Sequence, residues 1–304
     1  MPELPEVQTT VNGVKRYVAG LKIRAAWTDY KSRFHAGKDN IQDPRYFRSF
    51  RRRVIGAKIT GASRRGKNVL IHLSNSFIIL VHMKMTGHLL YGAYKKAGAT
   101  WAAIGPGPLR DDPFNRYIHL VLSLSNGKSL VLSDLRKFAK VTLIETARID
   151  ASLHISEHGP EPLEKSFGPE ELRAALSRRP NAPIKSALMD HRLVSGIGNI
   201  YSDEILWRVG IHPLTRVQTI PEKIWPAISR VMKETLRKGI DFGGDSMSDY
   251  RDILGGSGRF QSTHNAYRRT GERCRKRGCG GTIRRLVIGS RSAHFCDKHQ
   301  KLIK

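Results

Sequence analysis

Cysteine and long apolar runs are scarce in this chain of 304 residues, and each shortage excludes a class of protein. The three cysteines are an odd number and all lie after residue 273, which argues against a disulfide scaffold. The longest apolar run, Phe77–Met83, is far too short to span a bilayer. The first residues lack both the basic and the apolar segment of a signal peptide, so we expect a cytoplasmic protein.

Acidic residues are also few, and their shortage indicates the kind of partner. Lys and Arg number 53 against 26 Asp and Glu, which gives a formal net charge of +27. A surplus of this size is typical of proteins that meet polyanions. Nucleic acid is the leading partner, because an anionic membrane surface is a weak rival in a chain with no spanning segment. The length and the hydrophobic content of 39% suit a two-domain globular protein.

The positive charge is concentrated in two separate blocks. Residues 45–67 contain nine Lys or Arg and no acid, and residues 264–304 contain twelve against Glu272 and Asp297. One block in each half of the chain favours a cleft that grips phosphates, and such binding should weaken steeply with salt. A generally basic, solvated face would give the same pattern.

The hydrophobic pattern of the chain changes near residue 148, from that of β-strands to that of helices. A first helix, ended by Gly20, is followed by short β segments whose spacing predicts hairpins of a sheet or sandwich. Residues 93–113 have no clear period and predict an exposed, mobile loop. Helical patterns follow, then a Gly- and Ser-rich loop and a compact basic module, without an internal repeat. The predicted domains are 1–147, 148–262 and 263–304.

The N-terminal stretch MPELPEVQTT poses a chemical question, because it places Pro-Glu directly after the first methionine. If Met1 is removed, Pro2 becomes the N-terminus and carries a secondary amine. No side chain supplies such a nucleophile. The alternative is that Pro2 only permits methionine removal.

Cys274, Cys279, Cys296 and His299 have metal-ligand spacing, C-x4-C and then C-x2-H. Three thiolates and one imidazole form a closed tetrahedral set, so we predict one structural zinc ion per chain. The segments TIRRLVI and RSAHF between the pairs predict a hairpin held by the metal. Two alternatives stay open: the cysteines are ordinary core residues, or His294 is the fourth ligand.

The stretch LVSGIGNIYSDEIL joins two predicted helices through a glycine-rich turn. Asn199 then stands at the N-terminus of the second helix, where free backbone N–H groups and the helix dipole favour an anion. An ordinary tight turn between helices would have the same glycines. It is not a nucleotide-binding fingerprint, because no strand precedes it.

Taken together, PELPEV at the N-terminus, SGIGNIYSDEIL and the C-terminal Cys/His module resemble the formamidopyrimidine-DNA glycosylases. The resemblance covers the whole chain in the family's order. It implies an α+β fold: an N-terminal two-layer β-sandwich with flanking helices, a helical domain with a helix–two-turns–helix element, and a zinc-bound β-hairpin. Duplex DNA with oxidised or abasic sites would lie between the two halves of an enzyme that is expected to be a monomer.

The resemblance also implies a role for individual residues. Pro2 would be the nucleophile, Glu3 the catalytic acid, and Lys67 the lysine that reaches the lesion. Several residues are expected to contact DNA: Asn199 and Arg291 at phosphates, Met85, Arg136 and Phe138 in the gap left by the flipped base, and Lys137 beside them. From the burial statistics of methionine and phenylalanine alone, Met85 and Phe138 would be predicted to be core residues.

The sequence departs from the family pattern in three places, one of which is His191 in place of a usual glutamine. The family's metal set usually has four cysteines in C-x2-C pairs, and Leu135 and Ala139 replace a usual proline and glycine. We predict a bifunctional DNA glycosylase and abasic-site lyase for oxidised purines, acting on the nucleoid. The alternatives are an endonuclease VIII-like enzyme for oxidised pyrimidines and a catalytically inactive protein that binds damaged DNA.

Overall fold

The computed structural model describes residues 1–152 and 155–304. They form two compact units, Met1–Ser156 with Phe242–Arg259, and Glu157–Asp241 with Phe260–Lys304. The Gly- and Ser-rich segment Phe242–Arg259, which the sequence placed in the helical domain, thus belongs to the first unit. The division at residues 147 and 262 stays a prediction.

The first unit is the predicted β-sandwich. Its described strands are β1 (Ile23–Thr28), β2 (Ile59–Arg65), β3 (Asn68–Leu73), β4 (Phe77–His82), β5 (Gly87–Gly92), β6 (Tyr94–Ala97), β7 (Thr100–Ala103), β8 (Ile118–Leu124), β9 (Ser129–Asp134) and β10 (Lys140–Glu145). One antiparallel sheet has the order β1-β8-β9-β5 and the other β10-β4-β3-β2. The helices are α1 (Leu4–Tyr17), α2 (Pro44–Val54) and α3 (Pro108–Asp111).

The strands are apolar on both faces because both faces of each sheet are covered. The interior holds side chains from the two sheets and from α1, among them Val11, Ile79 and Leu132. A second cluster on the outer face of the β1-β8-β9-β5 sheet includes Val121, and a third on the outer face of the other sheet includes Leu80. This explains why near-continuous apolar runs replaced strict alternation in the sequence.

The expectation of a mobile loop at residues 93–113 is wrong. β6 and β7 pair as a hairpin, with Gly98 in the left-handed conformation (φ +61°) that its turn requires. Trp101 of this hairpin packs at 6.2 Å from Trp27 of β1. Since this contact joins positions far apart in the chain, local composition gave no sign of it.

The second unit is helical and ends in a hairpin. Its helices are α4 (Pro169–Ser177), α5 (Ile184–Met189), α6 (Asn199–Val209) and α7 (Trp225–Asp241), and its strands are β11 (Ile283–Ile288) and β12 (Arg291–Cys296). The predicted hairpin between the metal-ligand pairs is therefore confirmed, with Ile283 opposite Cys296. No helix within the described residues is both long enough and apolar enough to cross a membrane.

Candidate active site and metal centre

The N-terminal residues are held by the first turn of α1. Glu3 precedes the helix and is only 2% exposed, and its backbone N–H donates to Glu6 Oε2 at 2.7 Å. The other oxygen of Glu6 accepts from the backbone N–H of Asp245 at 2.8 Å, and Tyr250 donates its hydroxyl to the Glu6 carbonyl at 3.0 Å. One buried carboxylate therefore fixes the Pro2-Glu3 peptide against the segment Phe242–Arg259.

Further buried contacts attach this segment to the sandwich. Arg251 donates to Asp112 at 2.6 Å, and both side chains are largely buried. Asn115 donates to the carbonyl of Gly255 at 3.1 Å, and the N–H of Tyr91 donates to the carbonyl of Ile253 at 2.7 Å. Because buried charged pairs hold their geometry, the glycine-rich segment is anchored at several points despite its composition.

Lys67 lies on the turn between β2 and β3, half-buried. Gly66 before it takes a positive φ of +55°, which a two-residue hairpin turn favours. Arg64 at the end of β2 donates to the side chain of Gln8 on α1 at 3.1 Å. The hairpin end that carries Lys67 is thus attached to the early turns of α1, the helix that follows Pro2 and Glu3.

Met85, Arg136 and Phe138 are exposed together at the ends of two loops. Met85 is 41% exposed and Phe138 51%, so neither is a core residue. The Arg136 guanidinium donates to Met85 Sδ at 3.1 Å and lies 4.6 Å from the Phe138 ring centre. Lys137 has a positive φ of +56° and pairs with Asp29 at 3.3 Å.

These two loops are fixed by one buried carboxylate that the sequence analysis did not identify. Asp134, at the end of β9, accepts from the Thr86 hydroxyl and, at 2.7 Å, from the backbone N–H of Ala139. Thr86 in turn accepts from the N–H of Arg136 at 3.1 Å. Leu135 is exposed and Ala139 is fully buried. The backbone of the loop that carries Arg136 and Phe138 is therefore held in place by the hydrogen bonds to Asp134 and Thr86.

Asn199 and Arg291 lie on adjacent elements of the second unit, since α6 packs against β12. Asn199 is the first residue of α6, and its buried Oδ1 has no hydrogen-bond partner within the described residues. Arg291 is exposed at the start of β12, directly after the turn at Gly289 and Ser290. Both residue types donate hydrogen bonds to phosphate.

A buried ionic network joins these two elements. Lys185 on α5 donates to Asp203 Oδ1 at 2.6 Å, and each side chain is 1% exposed. Asp203 Oδ2 accepts from the backbone N–H of His294 at 3.0 Å and lies 2.9 Å from its ring Nδ1. Lys185 also donates to Ser202 Oγ at 3.2 Å. Asp203 thereby connects the helix of Asn199 to the strand of Arg291.

The neighbouring acid of the SDEIL motif has a different partner. Glu204 is 2% exposed and accepts from the backbone N–H groups of Asn265, Ala266 and Tyr267 at 2.9 to 3.0 Å. It therefore connects α6 to the chain that leads into the metal module. Sequence analysis missed Asp203 and Glu204 as structural residues, although two adjacent acids directly before the apolar stretch Ile205–Trp207 were a usable signal.

The four predicted metal ligands meet in space. Their ligand atoms lie within 4.8 Å of one another, with Cys274 Sγ at 3.4 Å and Cys279 Sγ at 3.6 Å from His299 Nδ1, and Cys279 Sγ at 3.5 Å from Cys296 Sγ. A tetrahedron with Zn–S bonds of about 2.3 Å has edges of about 3.8 Å. The four ligand atoms therefore have the spacing that a metal ion of this size requires, which favours a metal site over ordinary core cysteines.

His299 rather than His294 is the fourth member. Its Nε2 donates to the carbonyl of Trp207 at 2.9 Å, which leaves the Nδ1 lone pair for a metal. Burial lowers the pKa of His299, and so favours the neutral ring that a metal needs. Burial also raises the pKa of Cys296 to about 11, so its thiolate requires a positive charge nearby. His294 is bound to Asp203 instead.

Comparison with known proteins decides the family. The family model described as the formamidopyrimidine-DNA glycosylase N-terminal domain matches residues 1–141, and the H2TH domain of the same family matches residues 158–251. The chain belongs to the formamidopyrimidine-DNA glycosylase family. The sequence-based prediction of family, of fold class and of a DNA-repair glycosylase is confirmed.

Full-length relatives agree with this assignment. The formamidopyrimidine-DNA glycosylase of Pelotomaculum thermopropionicum is 33% identical over 307 residues, covering 99% of this chain and all of the relative. The Bacillus subtilis enzyme of the same name is 31% identical over 303 residues, with 99% of each covered. The structure of Lactococcus lactis Fpg in complex with abasic-site DNA has a TM-score of 0.81 at 28% identity, with coverage of 98% and 99%.

Proposed function

We propose that this glycosylase removes oxidised purines from duplex DNA and then cleaves the strand, with the amine of Pro2 as nucleophile. The observation that carries the proposal is the buried arrangement at the start of α1, where Glu6 fixes the Pro2-Glu3 peptide. A reacting terminus must be held still to attack a sugar carbon efficiently. The hairpin of Lys67 is attached to the same helix.

The chemistry follows from a secondary amine. After Met1 is removed, the neutral nitrogen of Pro2 attacks C1′ of the extruded nucleotide, and the base leaves with the electrons of the glycosidic bond. Loss of the proton from nitrogen and opening of the sugar ring give an iminium ion, with Glu3 protonating the ring oxygen. The iminium acidifies a hydrogen at C2′, and its removal expels the 3′ phosphate. A second elimination releases the 5′ phosphate.

Other residues would hold the DNA during these steps. Lys67 would provide a cation beside the phosphates, and Asn199 and Arg291 would bind the backbone. Met85, Arg136 and Phe138 would occupy the space of the extruded base, with the guanidinium facing the orphaned partner base. Lys137 would be a further backbone contact. We also propose that the enzyme works in the cytoplasm on the nucleoid, because that is where bacterial DNA lies.

Strand cleavage across a lesion panel tests the function. We expect covalent trapping by borohydride and cleavage of duplexes with 8-oxoguanine or formamidopyrimidine, in preference to oxidised pyrimidines. Faster cleavage of oxidised pyrimidines would instead favour the endonuclease VIII-like activity. Binding of lesion duplex with neither trapping nor cleavage would favour the inactive binding protein.

Truncation of the exposed side chains of Met85 and Phe138 should slow excision of the damaged base but should not affect folding. Met85→Ala combined with Phe138→Ala is expected to change the free energy of unfolding by less than about 0.5 kcal/mol, since both side chains are exposed. Excision of 8-oxoguanine should slow by roughly tenfold, because unstacking the base costs a few kcal/mol. Cleavage at a preformed abasic site should slow less, since no base has to leave the stack.

Leu135→Ala is the matched control, because Leu135 is 45% exposed on the same loop. It should leave both rates unchanged. Equal slowing by the control, or equal slowing on abasic DNA, would contradict a base-replacing role for Met85 and Phe138. Rates are measured in single turnover.

The metal cluster should bind one zinc ion per chain. Cys274, Cys279, Cys296 and His299 would hold the ion and so fix the hairpin of Arg291. We expect chelation to remove the zinc and abolish tight DNA binding, and tight binding by the metal-free protein would contradict this role. His299→Ala should lower zinc content, whereas the control His294→Ala should keep it, as measured by elemental analysis.

A further inference from the structure

Helix α2 carries a strongly basic surface of the first unit, outside the site described above. Its sequence PRYFRSFRRRV contains five arginines and no acid. The exposed positions of this helix are Pro44 and the five arginines, Arg45, Arg48, Arg51, Arg52 and Arg53. Its buried side chains, Phe50 and Val54, belong to the sandwich interior. The helix thus presents a face that consists almost entirely of guanidinium groups.

Arg45 and Arg53 are the two of these arginines with a partner among the described residues, Arg45 through the charge of the nearby Asp43. Arg53 donates to Ser49 and lies 5.6 Å from the Phe77 ring. The side chains of Arg48, Arg51 and Arg52 have no hydrogen-bond or ion-pair partner in residues 1–152 and 155–304. A surface that only needed solubility would mix both signs of charge.

Helix stability does not account for the pattern. Like charges three or four positions apart, such as Arg48 with Arg51 and with Arg52, destabilise a helix. The arginines of the last turn complement the helix dipole, but Arg45 stands in the first turn, where the dipole disfavours a cation. The nearby acid Asp43 accepts from the backbone N–H groups of Arg45 and Gly37 and caps the helix.

The geometry of the face suits a phosphate backbone. Arg45, Arg48 and Arg52 follow the i, i+3, i+7 pattern, so they form one stripe about 10 Å long. Arginine binds phosphate through two parallel hydrogen bonds, which lysine cannot do. Apart from Pro44, helix α2 exposes no apolar side chain, which disfavours insertion into a lipid surface.

The sequence predicted that the whole basic block 45–67 lines one cleft, but its five arginines on α2 lie at a different edge of the sandwich from α1 and Pro2. Helix α1 packs against β2, β3 and β5, whereas α2 packs against β1. Through the Tyr46 hydroxyl, which lies 2.9 Å from Thr142 Oγ1, α2 also contacts β10.

Gln42, two residues before α2, donates to the carbonyl of Lys137 at 3.0 Å, so the first turn of α2 lies beside the loop of Arg136 and Phe138. Arg53 in the last turn lies 5.6 Å from the ring of Phe77, at the other end of β4. A ligand held by Arg48, Arg51 and Arg52 therefore lies away from that loop and from the face that α1 and the Lys67 hairpin cover.

We propose that the arginine face of α2 binds a second segment of duplex DNA, without sequence preference, while the active site holds the first. The enzyme would contact two stretches of DNA at once and so pass between them. This inference does not depend on the proposed chemistry, because it concerns binding of undamaged DNA.

The test measures capture of a second duplex. The protein is first saturated with a duplex just long enough to fill the lesion site and carrying a stable abasic-site analogue. A fluorescent, undamaged duplex is then added, and its anisotropy gives the affinity. The variant is Arg48→Gln with Arg51→Gln and Arg52→Gln. The control, Lys95→Gln with Lys96→Gln and Lys128→Gln, removes the same charge from exposed positions elsewhere on the first unit.

We expect the arginine variant to bind the second duplex at least tenfold more weakly. Its salt dependence should have a log–log slope smaller by about 2.7, from three phosphate contacts at about 0.9 each. Its cleavage of the short lesion duplex and the affinity of the control variant should stay as in the wild type. Unchanged capture, or equal weakening in both variants, would overturn the proposal. So would a variant that loses binding to anionic vesicles but keeps DNA capture.

Discussion

Enzyme that retains Met1 is expected to bind lesion DNA and to form no covalent adduct with it. With Met1 attached, the nitrogen of Pro2 is part of an amide and has no nucleophilic lone pair. Strand cleavage should fall by a factor of at least about 1000, equivalent to roughly 4 kcal/mol in the activation free energy. The measurement is borohydride trapping followed by electrophoresis, on samples whose N-termini are established by mass spectrometry.

The control for this experiment is non-covalent affinity. Met1 is exposed, so its retention should not disturb the capping of α1 by Glu3 and Glu6. Affinity for a duplex with an abasic-site analogue should therefore stay within about threefold, a difference of less than ~0.7 kcal/mol. Full trapping by the Met1-retaining protein would contradict the proposed nucleophile. Lys67, half-buried on the β2–β3 turn, would then be the first amine to replace.

A second comparison separates Lys67 from Pro2. Lys67→Met keeps the length of the side chain but removes its amine, and it leaves the terminus untouched. If Pro2 is the nucleophile, this variant still forms the trapped adduct on abasic DNA, although more slowly on an oxidised base. The opposite result would identify Lys67 as the nucleophile in place of Pro2. In that case Lys67→Met forms no trapped adduct, whereas the protein that retains Met1 still forms one.

The sequence predicted most of this architecture because its strongest patterns are local. Alternating turns and apolar runs indicated the sandwich, and cysteine spacing indicated the metal hairpin. The mobile loop predicted at residues 93–113 was wrong because the packing of Trp101 on Trp27 is a contact between distant positions. The intrinsic strand propensity of a residue contains no information about such long-range contacts.

Prediction of the site residues was limited in the same way, because some of their roles depend on contacts with residues far away in the sequence. Spacing alone could not choose between His294 and His299 as the fourth metal ligand. The choice depends on Asp203, 91 positions before His294, which binds that imidazole and leaves His299 to the cysteines. Met85 and Phe138 could be assigned to DNA only through family resemblance, because an isolated Met or Phe in a sequence is normally a core residue. Their exposure in the structure excludes the core assignment and agrees with a DNA-contacting role.

The largest effect on stability is expected at Asp203. Asp203→Asn keeps the shape of the side chain but removes its charge, and it leaves the ammonium of Lys185 buried at 1% exposure with no counterion at 2.6 Å. Breaking a buried ion pair by removing one partner costs about 3–5 kcal/mol. Because Asp203 also accepts from the backbone of His294, the strand of Arg291 should loosen, and DNA binding should weaken with it.

Glu234→Gln is the matched control in the same unit. Glu234 also has two basic partners, Arg208 and Arg230, but its side chain is 40% exposed. Such exposed pairs contribute about 0–1 kcal/mol, so its unfolding midpoint in urea should hardly change. An Asp203→Asn variant as stable as Glu234→Gln would contradict the argument. Replacing both buried partners, as Lys185→Met with Asp203→Leu, should recover part of the stability but not the DNA affinity, since an apolar pair no longer fixes the backbone of His294.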